Sequence, residues 1–192
     1  MNKTRLEAFS DAVIAIIMTI MVLELKIPHG TDLEALRPLL PVFLAYVLSF
    51  IYLGIYWNNH HHMLQATRTV NGKVLWANLL LLFWLSLVPF VTGWMGENHF
   101  EPLPTAVYGF VLLMCAVSYT LLQSKLTKHS AGENAILAEA VGSDLKGKIS
   151  LALYVIAIGL AFVQQNISHF IYVFVAMLWF IPDRRIERRI TE

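Results

Sequence analysis

One cysteine, Cys115, is all that the chain contains, and it lies inside an apolar run. An intramolecular disulfide is therefore excluded. Charge is scarce as well: Asp, Glu, Lys and Arg make up 14% of the 192 residues, against about 25% in soluble domains. The chain also lacks a phosphate-binding loop, a nucleophile elbow, an H-E-x-x-H zinc helix and a dinucleotide fingerprint. These absences argue against an enzyme, a resident cofactor or metal, and a nucleic-acid partner. No internal repeat relates the two halves, so an inverted-repeat transporter has no support.

Hydrophobic residues fill the space, at 57% of the chain and a mean hydropathy of +0.62. Water cannot solvate that much apolar surface on so small a chain, whereas lipid can. The pattern predicts an all-α integral membrane protein, one domain over residues 1–192, with six spans at about 5–27, 39–58, 74–95, 103–124, 145–163 and 167–182. The first four approach the ~20 residues that a ~30 Å hydrocarbon core requires. The last two are shorter in apolar length, so Gln164-Gln165-Asn166 must lie close to a membrane face; a re-entrant hairpin is the other reading of that pair. The N-terminal run resembles a signal peptide. However, Asp11 interrupts it and Glu24-Leu25-Lys26 stands where a small-residue cleavage site belongs, so it reads as a mature helix.

The placement of cations gives orientation. Lys3, Arg5, Arg68, Lys73, Lys125, Lys128, Lys146, Lys148, Arg184, Arg185, Arg188 and Arg189 fall on one side of the six-span layout, and only Lys26 and Arg37 on the other. The positive-inside rule puts both termini in the cytoplasm. Trp57, Trp76, Trp94 and Trp179 stand near span ends, as interfacial anchors do. Between Lys125 and Lys148 runs a polar stretch in which residues 134–141 could form a short amphipathic helix. The basic tail 183–189 reads as a stop signal attracted to anionic lipid.

The first span holds the unusual residues. Ionisable groups within a span are costly and turn toward protein or water, and here Arg5, Glu7 and Asp11 open the helix while Glu24 and Lys26 close it. Arg5 and Asp11 are six residues apart, too far for an i,i+4 pair, so each requires a partner on another helix or subunit. Ala12, Ile16, Thr19 and Leu23 share one helical stripe. Taken alone the stripe suits lipid, with the Thr19 hydroxyl bonded back to the preceding turn. Around a symmetry axis it would instead make apolar rings that exclude water, with a hydroxyl ring between them.

Arg5-Leu6-Glu7-Ala8-Phe9-Ser10-Asp11 resembles the R-x-x-x-F-S-D signature that opens the first helix of the transmembrane protein 175 family, the endolysosomal potassium channels and their bacterial relatives. Val22-Leu23-Glu24-Leu25-Lys26-Ile27-Pro28, Trp57-Asn58-Asn59-His60-His61, Asn78 and Pro89-Phe90 are similar to the same family. The resemblance implies a single-repeat bacterial member, in the inner membrane, assembled as a homotetramer whose first helices surround a pore. It implies that Ile16 is the narrowest ring, Thr19 a hydroxyl layer tied to cation preference, and Leu23 a further apolar ring. It also implies a buried polar network of Arg5, Phe9, Ser10 and Asp11 with His60 or His61 and Asn78, which fixes the angle of the pore helix.

Two apparent motifs carry less. Consecutive helical residues point about 100° apart, so His60, His61 and His62 cannot all face one ion, and hydrogen bonding to the first helix suits one of them better than a metal. Thr105-Ala106-Val107-Tyr108-Gly109 has one glycine where a carbonyl filter needs two, and it begins a full span. The expectation is a potassium-favouring cation channel with a hydrophobic gate and no carbonyl filter. The competing expectations are a proton-coupled transporter or proton pathway through Asp11 and His60/His61, and a non-conducting membrane protein whose first helix faces lipid.

Overall fold

The computed structural model describes residues 3–67, 69–129 and 144–180. The stretch 134–141 and the basic tail lie outside them. The described residues are helical in each of the six apolar segments: α1 (Thr4–Ile20), α2 (Leu40–Gln65), α3 (Gly72–Ser86), α4 (Val88–Glu97), α5 (Pro102–His129), α6 (Leu145–Leu160) and α7 (Gln165–Phe180). Four continuous stretches, Thr4–Glu24, Leu33–Gln65, Gly72–Glu97 and Pro102–Lys128, are long and apolar enough to cross a membrane, and Gln165–Phe180 is a shorter apolar helix.

Local chemistry accounts for the joints. α1 tightens into a 3-10 turn over Met21–Glu24 and ends where Leu25 turns extended. Before α2, Asp32 caps a 3-10 helix over Leu33–Leu39 by accepting from the Ala35 amide, and Pro41 near the start of α2 has no amide proton for an intrahelical bond. The predicted third span is two helices. Pro89 cannot donate to the Leu85 carbonyl and its ring crowds that turn. The ladder therefore breaks at Leu87, whose amide bonds instead to Trp84.

The second and fourth spans run on as helix beyond their apolar lengths, to Gln65 and His129 rather than to 58 and 124. α6 and α7 have 16 residues each, about 24 Å of helix. They lie against one another, Ser168 Oγ donating to the Ala157 carbonyl at 2.8 Å and Trp179 Nε1 to Ser150 Oγ at 2.8 Å.

α5 packs on α3, α4, α6 and α7, while α1 packs on α2, α3 and α4. Besides its aliphatic residues the core holds a polar knot. Thr92 Oγ1 donates to the Val88 carbonyl at 2.7 Å and lies 2.7 Å from Ser49 Oγ, which is 3.0 Å from the Tyr108 hydroxyl. α2 and α4 meet at backbone distance. A Cβ on Gly96 would come within 2.6 Å of Val42 Cα, so only glycine admits this contact.

Candidate functional site

α1 has two apolar faces. Leu6, Ser10, Ile14, Ile17 and Met21 recur every three or four residues and are buried against the chain's other helices. Ala12, Ile16, Thr19 and Leu23 form another stripe, and all four are exposed, Ile16 by 57% and Leu23 by 77%. The Thr19 hydroxyl donates to the Ala15 carbonyl, which commits its proton to the helix and leaves its oxygen lone pairs facing outward. Ile16 of this stripe, with Val13, Ile17, Ile20 and Glu24, makes one wall of an open cleft, and Ser86, Pro89 and Phe90 at the α3–α4 break make the other.

One polar chain ties the buried face of α1 to two neighbours, and donor counting fixes its direction. Ser10 Oγ donates to the Leu6 carbonyl at 2.8 Å and accepts from Asn78 Nδ2 at 2.9 Å. The Asn78 carbonyl oxygen then faces His60 Nε2 at 2.7 Å. An amide oxygen only accepts, so Nε2 carries the imidazole proton. His60 Nδ1 is left as a buried lone pair without a partner. Ser10, His60 and Asn78 are all fully buried, where each satisfied bond strengthens the lock and each lost one is expensive.

The other residues of the expected network are placed differently. Asp11 accepts from the Trp57 indole at 3.0 Å and is half-buried. His61 meets Glu7 at 3.4 Å, and its ring stacks on Trp57 with centroids 6.0 Å apart. Arg5 and Phe9 stand outside the network, both exposed. Helical geometry explains the split. At 100° per residue Arg5 lies about 140° around the helix from Ser10, and Asp11 about 100°. Only Ser10 points into the three-helix seam.

Lys3 and Trp57 are fastenings that the sequence reading left out of the site. Lys3 Nζ donates to the Leu64 and Gln65 carbonyls, each at 2.9 Å, in the last turn of α2, where a cation meets the negative end of the helix. The three imidazoles diverge: His60 turns to Asn78, His61 to Glu7, and His62 lies against the His61 ring with its Nδ1 buried. Among the described residues no group of three or more His, Cys, Asp or Glu side chains could hold a metal ion.

At the other end of α1, Lys26 Nζ lies 2.7 Å from Glu97 Oε1. That hydrogen bond, and then the negative charge behind it, raise the Lys26 pKa above its ordinary value. Glu24 lies over Gly93, one turn before Glu97 on α4; a Cβ there would come within 2.7 Å of Glu24 Oε2.

These features define a helical membrane protein whose first helix is fastened at both ends and keeps an apolar, hydroxyl-bearing stripe exposed. Residues 5–89 match the family model for the endosomal/lysosomal potassium channel TMEM175. A potassium channel of Chryseobacterium sp. (strain P1-3) is 53% identical over the whole of both chains. The crystal structure of a lysosomal potassium-selective channel TMEM175 homolog from Chamaesiphon minutus superposes with a TM-score of 0.79 at 27% identity, covering 93% of this chain and 96% of that one. The chicken endosomal/lysosomal proton channel TMEM175 is 33% identical over 46% of this chain and 20% of its own length. The chain belongs to the TMEM175 family, which is one of ion channels and not of enzymes.

Proposed function

We propose that the chain is the single-domain, six-span subunit of a homotetrameric potassium channel in a bacterial inner membrane, with both termini cytoplasmic and α1 lining the pore. The observation that carries this reading is the α1 stripe of Ala12, Ile16, Thr19 and Leu23, uncovered by its own subunit in a chain 53% identical end to end to a named potassium channel. Four copies of that stripe around an axis give an Ile16 ring as the narrowest point, a Thr19 ring next to it and a Leu23 ring beyond. An apolar ring holds back an ion in proportion to the water it must shed, and potassium sheds water more readily than sodium. The outward lone pairs of Thr19 replace part of the lost hydration. Discrimination is modest, because no cage of carbonyls completes the shell.

The Ser10–Asn78–His60 chain sets the rotation of α1 and thereby aims the stripe. It also bears on a proton pathway through Asp11 and His60/His61, a reading that the name of the chicken relative raises. The hydrogen bonds run from His60 through an amide to a hydroxyl whose proton is spent on a backbone carbonyl. An amide donates without passing protons on, so this chain braces a helix and does not relay.

Ile16→Asn tests the proposal in liposomes holding the purified protein. The polar ring wets the constriction, so potassium flux rises about ten-fold and the preference over sodium falls. Unchanged flux and preference would remove Ile16 from the constriction. Absence of any potassium flux above empty liposomes in the parent protein would remove the channel. Uptake driven by a pH gradient and abolished by Asp11→Asn would favour the proton reading.

A further inference from the structure

A lysine at the mouth of a cation pore is a liability, and this chain carries one. Lys26 follows Leu23 by three residues, at most about 10 Å of chain. Four such ammonium groups around an axis would repel the ion that the pore carries. We propose that Glu97 is the counter-charge that makes Lys26 tolerable at that mouth, and that Glu24, Lys26 and Glu97 together set the local potassium concentration there. The inference rests on the reading of α1 as the pore helix.

Three observations build the unit. First, the Lys26–Glu97 pair closes at 2.7 Å although both side chains are well exposed, so Lys26 turns toward α4. Second, Glu24 and Lys26 reach α4 at positions one helical turn apart. The missing side chain of Gly93 leaves room for the Glu24 carboxylate, and Glu97 receives Lys26. The end of α1 thereby delivers its acid and its base to one face of one helix. Third, Glu24 adds its negative charge to that of Glu97 on Lys26, and Arg37 is engaged elsewhere. Among the described residues the other Lys or Arg at this end is Arg37, which lies 3.7 Å from Glu34 within its own 3-10 helix.

The three groups sum to one negative charge per subunit and four around a tetrameric mouth. A field of that sign gathers potassium ahead of the constriction, most strongly when salt is dilute. The pair need contribute little to stability, since exposed ion pairs seldom do.

The charge count orders the variants. Glu97→Gln brings the unit to zero, Lys26→Gln brings it to two negative charges, and the double variant returns it to one. Single-channel conductance in planar bilayers at about 10 mM KCl, where the Debye length is ~30 Å, should then rank Lys26→Gln highest and Glu97→Gln lowest. The parent and the double variant should agree between them, with about a three-fold spread from end to end. At 1 M KCl, where the Debye length is ~3 Å, the four should converge.

A purely structural pair gives another pattern. Both single variants would lose conductance alike, at all salt concentrations, and the double variant would not regain the parent value; that result overturns the proposal. Ile16→Asn, recorded alongside, separates the two layers of inference. If it changes conductance while the four mouth variants stay equal at low salt, the mouth proposal fails and the pore reading stands. If Ile16→Asn changes nothing, the pore reading fails first.

Discussion

Asn78 is a polar group in a run that is otherwise apolar, and a polar group in a span needs a partner, whereas Ser10 and His60 were legible through the motifs that resemble the family's. What the sequence could not supply was the angle. Arg5, Phe9 and Asp11 share the motif with Ser10, yet a helix spreads them around its circumference and the seam takes one. The Trp57 indole was read as an interfacial anchor; its N–H is a donor that seeks an acceptor, and Asp11 stands 3.0 Å away. Asn78→Ala leaves the buried His60 N–H without an acceptor, at about 1–3 kcal/mol. Ser10→Ala strands one Asn78 amide proton at a similar cost. Combined, the two should cost less than their sum, because the groups share one chain of bonds. Thermal denaturation in detergent of the parent, the two single variants and the pair measures that coupling; strict additivity would mean that the contact carries no energy.

At the scale of the element, six apolar runs predicted six helical segments, and the positions of their joints came from prolines and caps. The two corrections share a cause. Hydropathy reports where lipid ends, so it missed the helical extensions to Gln65 and His129. It likewise passed over the break at Leu87, since a Pro89 kink leaves the apolar run unbroken. Gly96 marks the closest packing between elements. Gly96→Val has no room against the Val42 backbone and must part α2 from α4, at about 1–3 kcal/mol or more. The expected readout is a fall in monodisperse yield and in melting temperature. Gly54, on α2 with nothing within 4 Å of its missing Cβ, supplies the contrast: Gly54→Ala should leave both unchanged or raise stability by up to about 1 kcal/mol. Equal damage from the two would show that glycine flexibility, and not close approach, is what α2 and α4 need.

At the scale of the molecule, the proposed assembly turns on the apolar stripe of α1. Exposed apolar surface in lipid needs no cover, so hydropathy alone could not separate a pore face from a lipid face. The proposal of a pore face rests on the seven-residue motif and on a potassium channel matching end to end. Four copies around one axis predict a mass of four chains by native mass spectrometry. They also predict disulfide-linked dimers from Thr19→Cys in a Cys115→Ala background, with a Val155→Cys control on the exposed face of α6 giving none. Cross-linking from the control alone, or a monomer mass in several detergents, would place the stripe in lipid.

The two fastenings of α1 have a mechanical consequence. Lys3, Ser10 and Asp11 grip one end and the Lys26–Glu97 contact grips the other, while the stretch between Ala12 and Ile20 touches its surroundings through hydrocarbon alone. A beam held at both supports does not swing; it flexes at midspan or lets its side chains turn. On the proposed pore reading, traffic past α1 would be governed by the orientation and wetting of a few branched side chains.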